Sequence, residues 1–343
     1  MDYQGRFKIL DPSRISRYPL RQRRNKVRLE QLADPNIVGR QAITLPEPIE
    51  QSIDIIAQAI HAARSARKAV ILFTGAHLVK NGLGPLVADL VRRGLVTLIA
   101  GNGATAIHDF ELALIGQTSE DVPNALGAGQ FGMSREFDYL NAALQLGDSL
   151  ALGFGESLGR MIRDAEFRGR VLAKLNPPAD APREFAHPQV SILAACHDAG
   201  VPMTIHVGIG TDVTDQHPSF DGRTKGGCSG RDFLIFADEV TRLAGGGVVL
   251  NIGSAVTGPE VLLKAVSMAA NVGAPPTGLI TADFDLRPQG PARCGEDAPS
   301  YYFRDQKSVV TRIPDAFGGT GFYVEGDQEQ TFVRLFQKLT ENK

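Results

Sequence analysis

The sequence predicts an α/β fold: a doubly wound, mostly parallel sheet with helices on both faces. Three observations carry that expectation. Short apolar runs at 69–73, 95–100, 202–207, 248–252 and 278–284 read as buried strands. Between them lie stretches whose apolar residues recur at i, i+3, i+4 spacing and read as helices. Each run then ends in small and polar residues, as in Thr74-Gly75-Ala76-His77 and Gly101-Asn102-Gly103. Loops of that kind, after parallel strands, are where open sheets bind ligands.

Taken in order, residues 1–46 stand outside the sheet as a basic N-terminal arm, with Arg14, Arg17, Arg21, Arg23, Arg24, Lys26 and Arg28 close together. Such an arm can bind nucleic acid or a phosphorylated ligand, or it can be a solvated extension that packs on a neighbouring subunit. The formal net charge of −2 favours the extension and argues against a nucleic-acid partner. A single α/β domain is expected over 47–343. It opens with a helix over 46–68, where Ile49, Ile53, Ile56, Ala57, Ile60 and Ala63 share a face. Acidic residues early in that helix and basic residues late complement its dipole. The strand 69–73, a helix over 83–93 and the strand 95–100 follow, then a helix from about Ala104. The glycine-rich stretch 123–133 reads as a long loop of the kind that forms a lid or a site wall. Helices over 134–147 and 154–167 lead to a proline-rich connection at 176–188. The second half repeats the pattern: helix 189–199, strand 202–207, a long polar loop 208–230 and helix 231–244. Strand 248–252, helix 259–272 and strand 278–284 come next, with a late edge element at 322–325 and a C-terminal helix over 329–339.

Composition excludes several classes. With 43% hydrophobic and 22% charged residues the chain resembles an ordinary globular protein able to build a core. No apolar run approaches the ~20 residues of a membrane helix, and the N-terminus lacks the apolar centre of a secretory signal. Cys196, Cys228 and Cys294 are widely spaced with no CxxC, so a reduced, cytoplasmic protein is expected.

The candidate chemistry lies in the loops after the strands. After the first, Thr74, Gly75, His77 and Lys80 offer a hydroxyl, backbone amides, an imidazole and an ammonium. Gly82-Leu83-Gly84 either admits an anion to a helix N-terminus or simply makes a tight turn, and GxGxxG is absent. After the second, Asn102 can donate and accept, and its flanking glycines let a ligand approach the backbone. Asp109 and Glu111 are two positions apart on a helix, so at most one faces the site, with Asp109 nearer the turn. His108 reads as a packed helix residue. Glu120 follows in Gly116–Val122. The densest polar cluster is Gly208 to Asp212 with His206, Asp215 and His217. Its side chains suit a divalent metal in type but not in spacing, and Asp212 suits a ribose or a substrate amine better. Asn251, Gly253 and Ser254 repeat the pattern, and Glu260 is either a first-turn dipole partner or a site carboxylate. Asp283 and Asp285 alternate at the end of the next strand. Cys228, set among glycines, is expected to be exposed and lacks an evident base.

Gly101-Asn102-Gly103-Ala104 running into Ile107-His108-Asp109-Phe110-Glu111, together with Gly208 to Asp212 and Thr281 to Asp285, resembles the deoxyhypusine synthase-like group of NAD-binding proteins. That group takes in the NAD-dependent ornithine cyclodeaminase domain of lysine-oxoglutarate reductase/saccharopine dehydrogenase-related proteins. The resemblance covers roughly residues 65–320. It implies NAD across the carboxyl edge of the sheet, held by Asn102, Gly103, Ala104, Asn251, Gly253 and Asp283, with Asp212 at a ribose or substrate group. It also implies paired subunits, as a dimer or tetramer, and a redox step on an amine-bearing substrate. The context of the imine-forming lysine of deoxyhypusine synthase is absent, since Lys264 and Lys307 stand in other surroundings.

The leading expectation is therefore an NAD-dependent transferase or lyase (cyclodeaminase type) that takes a small amino acid or polyamine through an imine. Thr74, Gly75, Asn102, Gly103, Ala104, Gly208, Asn251, Gly253, Ser254 and Asp283 would hold the cofactor. Asp212, Glu120 or Asp283 would anchor the ammonium, and His77 or His206 would act as base. Two alternatives stay open: a metal-dependent hydrolase using His206, Asp212, Asp215 and His217, and a non-catalytic nucleotide-binding assembly protein whose basic arm docks a partner.

Overall fold

The computed structural model describes residues 3–39, 41–290 and 297–341; Cys294 lies outside them. Eight strands are found among these residues: β1 (Asn25–Arg28), β2 (Val70–Thr74), β3 (Leu98–Asn102), β4 (Gln117–Glu120), β5 (Met203–His206), β6 (Val248–Ile252), β7 (Ile280–Asp285) and β8 (Thr320–Glu325). Six of them form one sheet in the order β5-β3-β2-β6-β7-β8, and every pair in it is parallel. Numbered by their order in this sheet, the strands run 3-2-1-4-5-6. The chain thus winds outward one way from β2, then returns beside it and winds the other way, which is the doubly wound arrangement expected.

The central strands are apolar except for Thr74, Asn102 and Asn251 toward their carboxyl ends, because both of their faces are covered, as parallel sheets require. Val70 and Leu72 of β2 pack with Ile53, Ile56, Val87 and Phe110 on one face. Ile71 and Phe73 pack with Leu98, Phe236, Val240 and Val266 on the other. Each such buried side chain contributes about 1.5–3 kcal/mol relative to exposure. The first expected helix runs Glu47–Ser65, and the C-terminal helix, Gln328–Thr340, lies against it. Arg334 Nη2 lies 2.5 Å from Glu50 Oε1 across that contact.

Three elements differ from expectation. The region 208–230 is a loop only in its first half, because a helix already begins at Gly222 and runs to Val240. Gly226, Gly227, Cys228, Ser229 and Gly230 are therefore helical, and Cys228 is fully buried instead of exposed. Burial pushes its thiol up to about 11. The helical stretch from Phe154 breaks at Asp164, whose carboxylate accepts from Glu166 N and Phe167 N and caps a second helix, Ala165–Leu175. The third concerns the basic arm, which is bound to its own chain. β1 pairs antiparallel with β4, with Val27 opposite Thr118, and Tyr18 bridges to Ser134. Among the described residues no helix is long and apolar enough to cross a membrane.

Candidate active site

β3 and β5 end side by side, with Asn102 opposite His206. The helix Gly103–Ile115 springs directly from β3. Between that helix, β4 and the loop after β5 lies a cavity of about 280 Å³. Ala104, Glu120 and Asp212, all expected at the site, line it, together with Arg23, Lys80, His108, Glu111, Phe131 and Phe137. The stretch expected as a loop over 123–133 begins as a helix, Val122–Leu126, and the turns after it supply a wall through Phe131.

Each acidic group is fixed by neighbours from distant parts of the chain. Glu120 accepts from Tyr18 Oη at 2.8 Å and from Gly132 N at 2.9 Å. Burial, with Glu120 beside it, pushes the Tyr18 phenol up to about 12, so it remains a donor. Asp212 accepts from Lys225 Nζ at 2.7 Å, and the same ammonium reaches Asp215 at 2.5 Å. Burial raises the Asp212 pKa and Lys225 opposes the rise. The trio carries a net negative charge, and its one cation holds both carboxylates in place. Gly103 has to be glycine here, because a Cβ would overlap the Asp212 carboxylate.

Glu111 is the carboxylate of its helix that reaches the cavity, and Asp109 is not. Asp109 accepts from Ser191 Oγ and from the backbone of Ile192 and Leu193, so it caps the helix Ile192–Ala199. Burial pushes its carboxyl up to about 6. Glu111 faces Arg23, whose Nη1 is 2.5 Å from Oε1, with both side chains almost fully buried. The contact is an ion pair by distance without the alignment of a hydrogen bond. Oε2 accepts from Thr118 Oγ1 at 2.5 Å, and the same hydroxyl meets His108 Nδ1 at 2.7 Å. Burial would raise Glu111, but Arg23 and His108 outweigh it and hold the carboxyl at about 2. Sequence reasoning gave Lys225 no role, placed Arg23 in the basic arm, put Asp109 and not Glu111 nearer the site, and read His108 as a packed helix residue. The density of cations between Arg14 and Arg28 says nothing of where they fold.

The expected histidines separate. His206 is buried, stacked on Phe73 at 5.5 Å and edge-on to Phe236 at 5.3 Å, with Nε2 on Thr204 Oγ1. Burial pulls it down to about 4, so it is a neutral core residue and not a base facing a ligand. His217 sits against Gly132 O at 2.7 Å and ties the two loops together. Among the described residues no group of three or more His, Cys, Asp or Glu is arranged to hold a metal. Of the four residues of the hydrolase alternative, Asp212 and Asp215 share Lys225, while His206 meets Thr204 and His217 meets Gly132 O. His77 is exposed beside Lys80 and His108, and burial with their charges lowers its pKa.

The remaining expected residues lie at the carboxyl ends of β2, β6 and β7. Thr74 Oγ1 donates to Gly75 O. Gly75 meets the other half of the sheet so closely that a Cβ would overlap the carbonyl of Gly253. Ser254 Oγ accepts from Gly258 N and caps the helix Thr257–Asn271. Asn251 Nδ2 donates to Asp283 Oδ1 at 2.7 Å and to Ser254 O at 2.9 Å. Among the described residues, Asn251 Oδ1, Asp283 Oδ2 and Gln328 Oε1 are buried without a hydrogen-bond partner. Burial, then the nearby Asp305, push Asp283 well above the usual carboxylate range. Two residues differ from their expected roles. Asn102 caps its own helix, with Oδ1 accepting from Thr105 N at 2.9 Å. Gly208 is exposed and accepts from Thr211 Oγ1. Lys264 is committed to Glu260, and Lys307 lies over the ring of Tyr301.

No family model matches the sequence, and no curated protein does. Among solved structures the chain is similar to a conserved LOR/SDH protein from Methanococcus maripaludis S2, at 16% identity over 88% of this chain and 72% of that one, with a TM-score of 0.45. It is also similar to ArgZ, an arginine dihydrolase from the ornithine-ammonia cycle in cyanobacteria, at 14% identity over 88% of this chain, with a TM-score of 0.47. A third is AgrE in its ternary complex with ornithine and NAD+, at 13% identity over 87% of this chain and a TM-score of 0.45. The chain spans 34% of the length of ArgZ and 34% of that of AgrE. Likenesses of this size assign neither an activity nor a ligand to this chain.

Proposed function

We propose that the protein binds NAD across the β2–β6 crevice and oxidises a small amine-bearing substrate in the adjoining cavity. One observation carries the reading: the strand order reverses between β2 and β6, and in open α/β sheets that reversal opens the ligand crevice at the carboxyl ends of the strands. The residues there fit a dinucleotide. The glycine backbones of Gly75 and Gly253 leave no side chain in the way of a pyrophosphate. Asn251 Oδ1 and Gln328 Oε1 are acceptors without donors, and ribose hydroxyls are donors. When bound, NAD+ supplies a hydride acceptor.

The protein's own groups bind and orient the substrate. Glu120, fixed by Tyr18 and Gly132, presents a carboxylate to an ammonium, and the Asp212–Lys225–Asp215 trio adds negative charge beside it. A substrate amine oxidised there becomes an imine; water adding to it releases ammonia and leaves a carbonyl, or a second amine adds and displaces ammonia to leave a new imine. Phe131 and Phe137 give the cavity an apolar wall.

Thermal unfolding with and without millimolar NAD tests the reading. A ligand present at a hundredfold its Kd adds about 2.7 kcal/mol to stability, so Tm should rise by several degrees. An unchanged Tm would remove the crevice from consideration as a cofactor site. A panel of L-ornithine, L-arginine, L-lysine and putrescine, followed by NADH absorbance, then tests the amine.

A further inference from the structure

We propose that His108 is the catalytic base of this cavity, with Nε2 presented to the substrate by the Thr118–Glu111 pair. The inference rests on reading the cavity as the amine site and names the residue that takes the proton there.

The assignment follows from counting protons. Glu111 has Arg23 against Oε1 and is ionised, so it can only accept. The one hydroxyl proton of Thr118 therefore goes to Glu111 Oε2, and the Thr118 oxygen is left to accept. What it accepts from His108, at 2.7 Å, must be Nδ1–H. A neutral imidazole carries one N–H, so the lone pair lies on Nε2. Nε2 has no partner among the described residues, and the ring lines the cavity with 18% of its side chain exposed. A carboxylate that orients an imidazole so that its far nitrogen faces the reacting atoms is a recurrent catalytic arrangement. Here a threonine hydroxyl relays the orientation.

An amine enters as R2CH–NH3+ and must be neutral before its α C–H bond can break. His108 Nε2 takes that proton. The C–H bond then breaks with both electrons leaving to NAD+, and the nitrogen lone pair forms the C=N bond of an iminium. Neither of the other candidate histidines suits this task. His206 is enclosed by aromatic rings, and no hydrogen bond orients His77 among the described residues. The charged groups facing His108 are His77 and Lys80 from the helix Ala76–Lys80, Glu111 on its own helix, Glu120 on β4, Arg23 from the N-terminal segment and Asp212 after β5. Arg23, Thr118 and Glu111 are positioning residues.

The test uses the full chain with 15N-labelled histidine. Two-bond proton–nitrogen correlations give the tautomer of His108, its resonance identified by its loss in H108Q. The Nδ1–H tautomer is expected in the wild type and in T118S, which keeps the hydroxyl, and its loss is expected in T118V. Carbethoxylation by diethylpyrocarbonate, mapped by mass spectrometry, should mark His108 and leave His206 unmodified. With any amine of the panel that turns over, H108Q should lower kcat by about 10²–10⁴ with little change in KM. An Nε2–H tautomer, a His108 that resists carbethoxylation, or a fully active H108Q would overturn the proposal. An Nδ1–H tautomer with no turnover on any amine would sink the amine reading and still support His108 as the oriented base.

Discussion

Asp232 links two elements through one carboxylate. Oδ2 accepts from Gly155 N at the start of the helix Phe154–Arg163 and from Ile205 N on the edge strand β5. Burial outweighs these bonds and pushes its pKa up to about 7, as it pushes Asp109 to about 6. A carboxyl whose folded pKa lies above its unfolded value of 3.8 stabilises the fold below that value, and the contribution is lost as pH rises through the folded pKa. Stability should therefore fall by up to about 1.4 kcal/mol per pH unit per group between roughly pH 4 and 7. In urea melts across that range D232N should show a shallower fall than the wild type, and an equal slope would mean that the group is ionised throughout. Asn102→Ala should cost about 1 kcal/mol through the lost cap, with no change in the structure of the cavity. Asp212 could be singled out because a carboxylate after a parallel strand, here β5, stands out by position, whereas Glu120 ends β4, which pairs antiparallel with β1. His108 was not legible: its role depends on Thr118, which has meaning only once β4 is placed.

Among the elements, buried strands were the most readable. Val248–Ile252 matches its run residue for residue, since burial on both faces keeps every position but Asn251 apolar. β4 was unreadable because Gln117, Thr118, Ser119 and Glu120 carry no apolar signal, and it is a strand only through β1. Glycine misled at 226–230, where a helix persists because neighbouring helices cover it. A Cβ on Gly226 or Gly230 would meet nothing within 4 Å. Gly226→Ala and Gly230→Ala should each add about 0.4–1 kcal/mol in denaturant unfolding. The N-terminal segment gives the opposite sign. Arg23→Ala leaves Glu111 buried without its counter-ion and should cost about 3–5 kcal/mol. R23M/E111L removes both charges and should recover most of that loss, and a double variant as unstable as R23A would refute the pairing.

For the whole molecule, the doubly wound class followed from alternating strands and helices, while the strand order did not. Order depends on which edge each crossover returns to, and no local pattern records that. The ends of the chain also meet in a way no local signal records. The helix Gln328–Thr340 lies along the helix Glu47–Ser65, and Gln337 Nε2 donates to the carbonyls of Val38 and Gln41. Phe332, Leu335 and Phe336 bury there, so cutting the chain before 328 should give protein that aggregates in light scattering.

The wall formed by residues 18–28 bears on when the cavity comes into being. Tyr18 meets Glu120 across 102 residues of chain, and β1 can be seated only on a finished β4. Contacts of such separation form late, since chain entropy opposes them until their partners are fixed. Residues 18–28, which precede the parallel sheet in the chain, are thus among the last to be placed. The sheet can be complete while the cavity is still open, and protein caught in that interval would have its full complement of parallel strands and an unoriented His108.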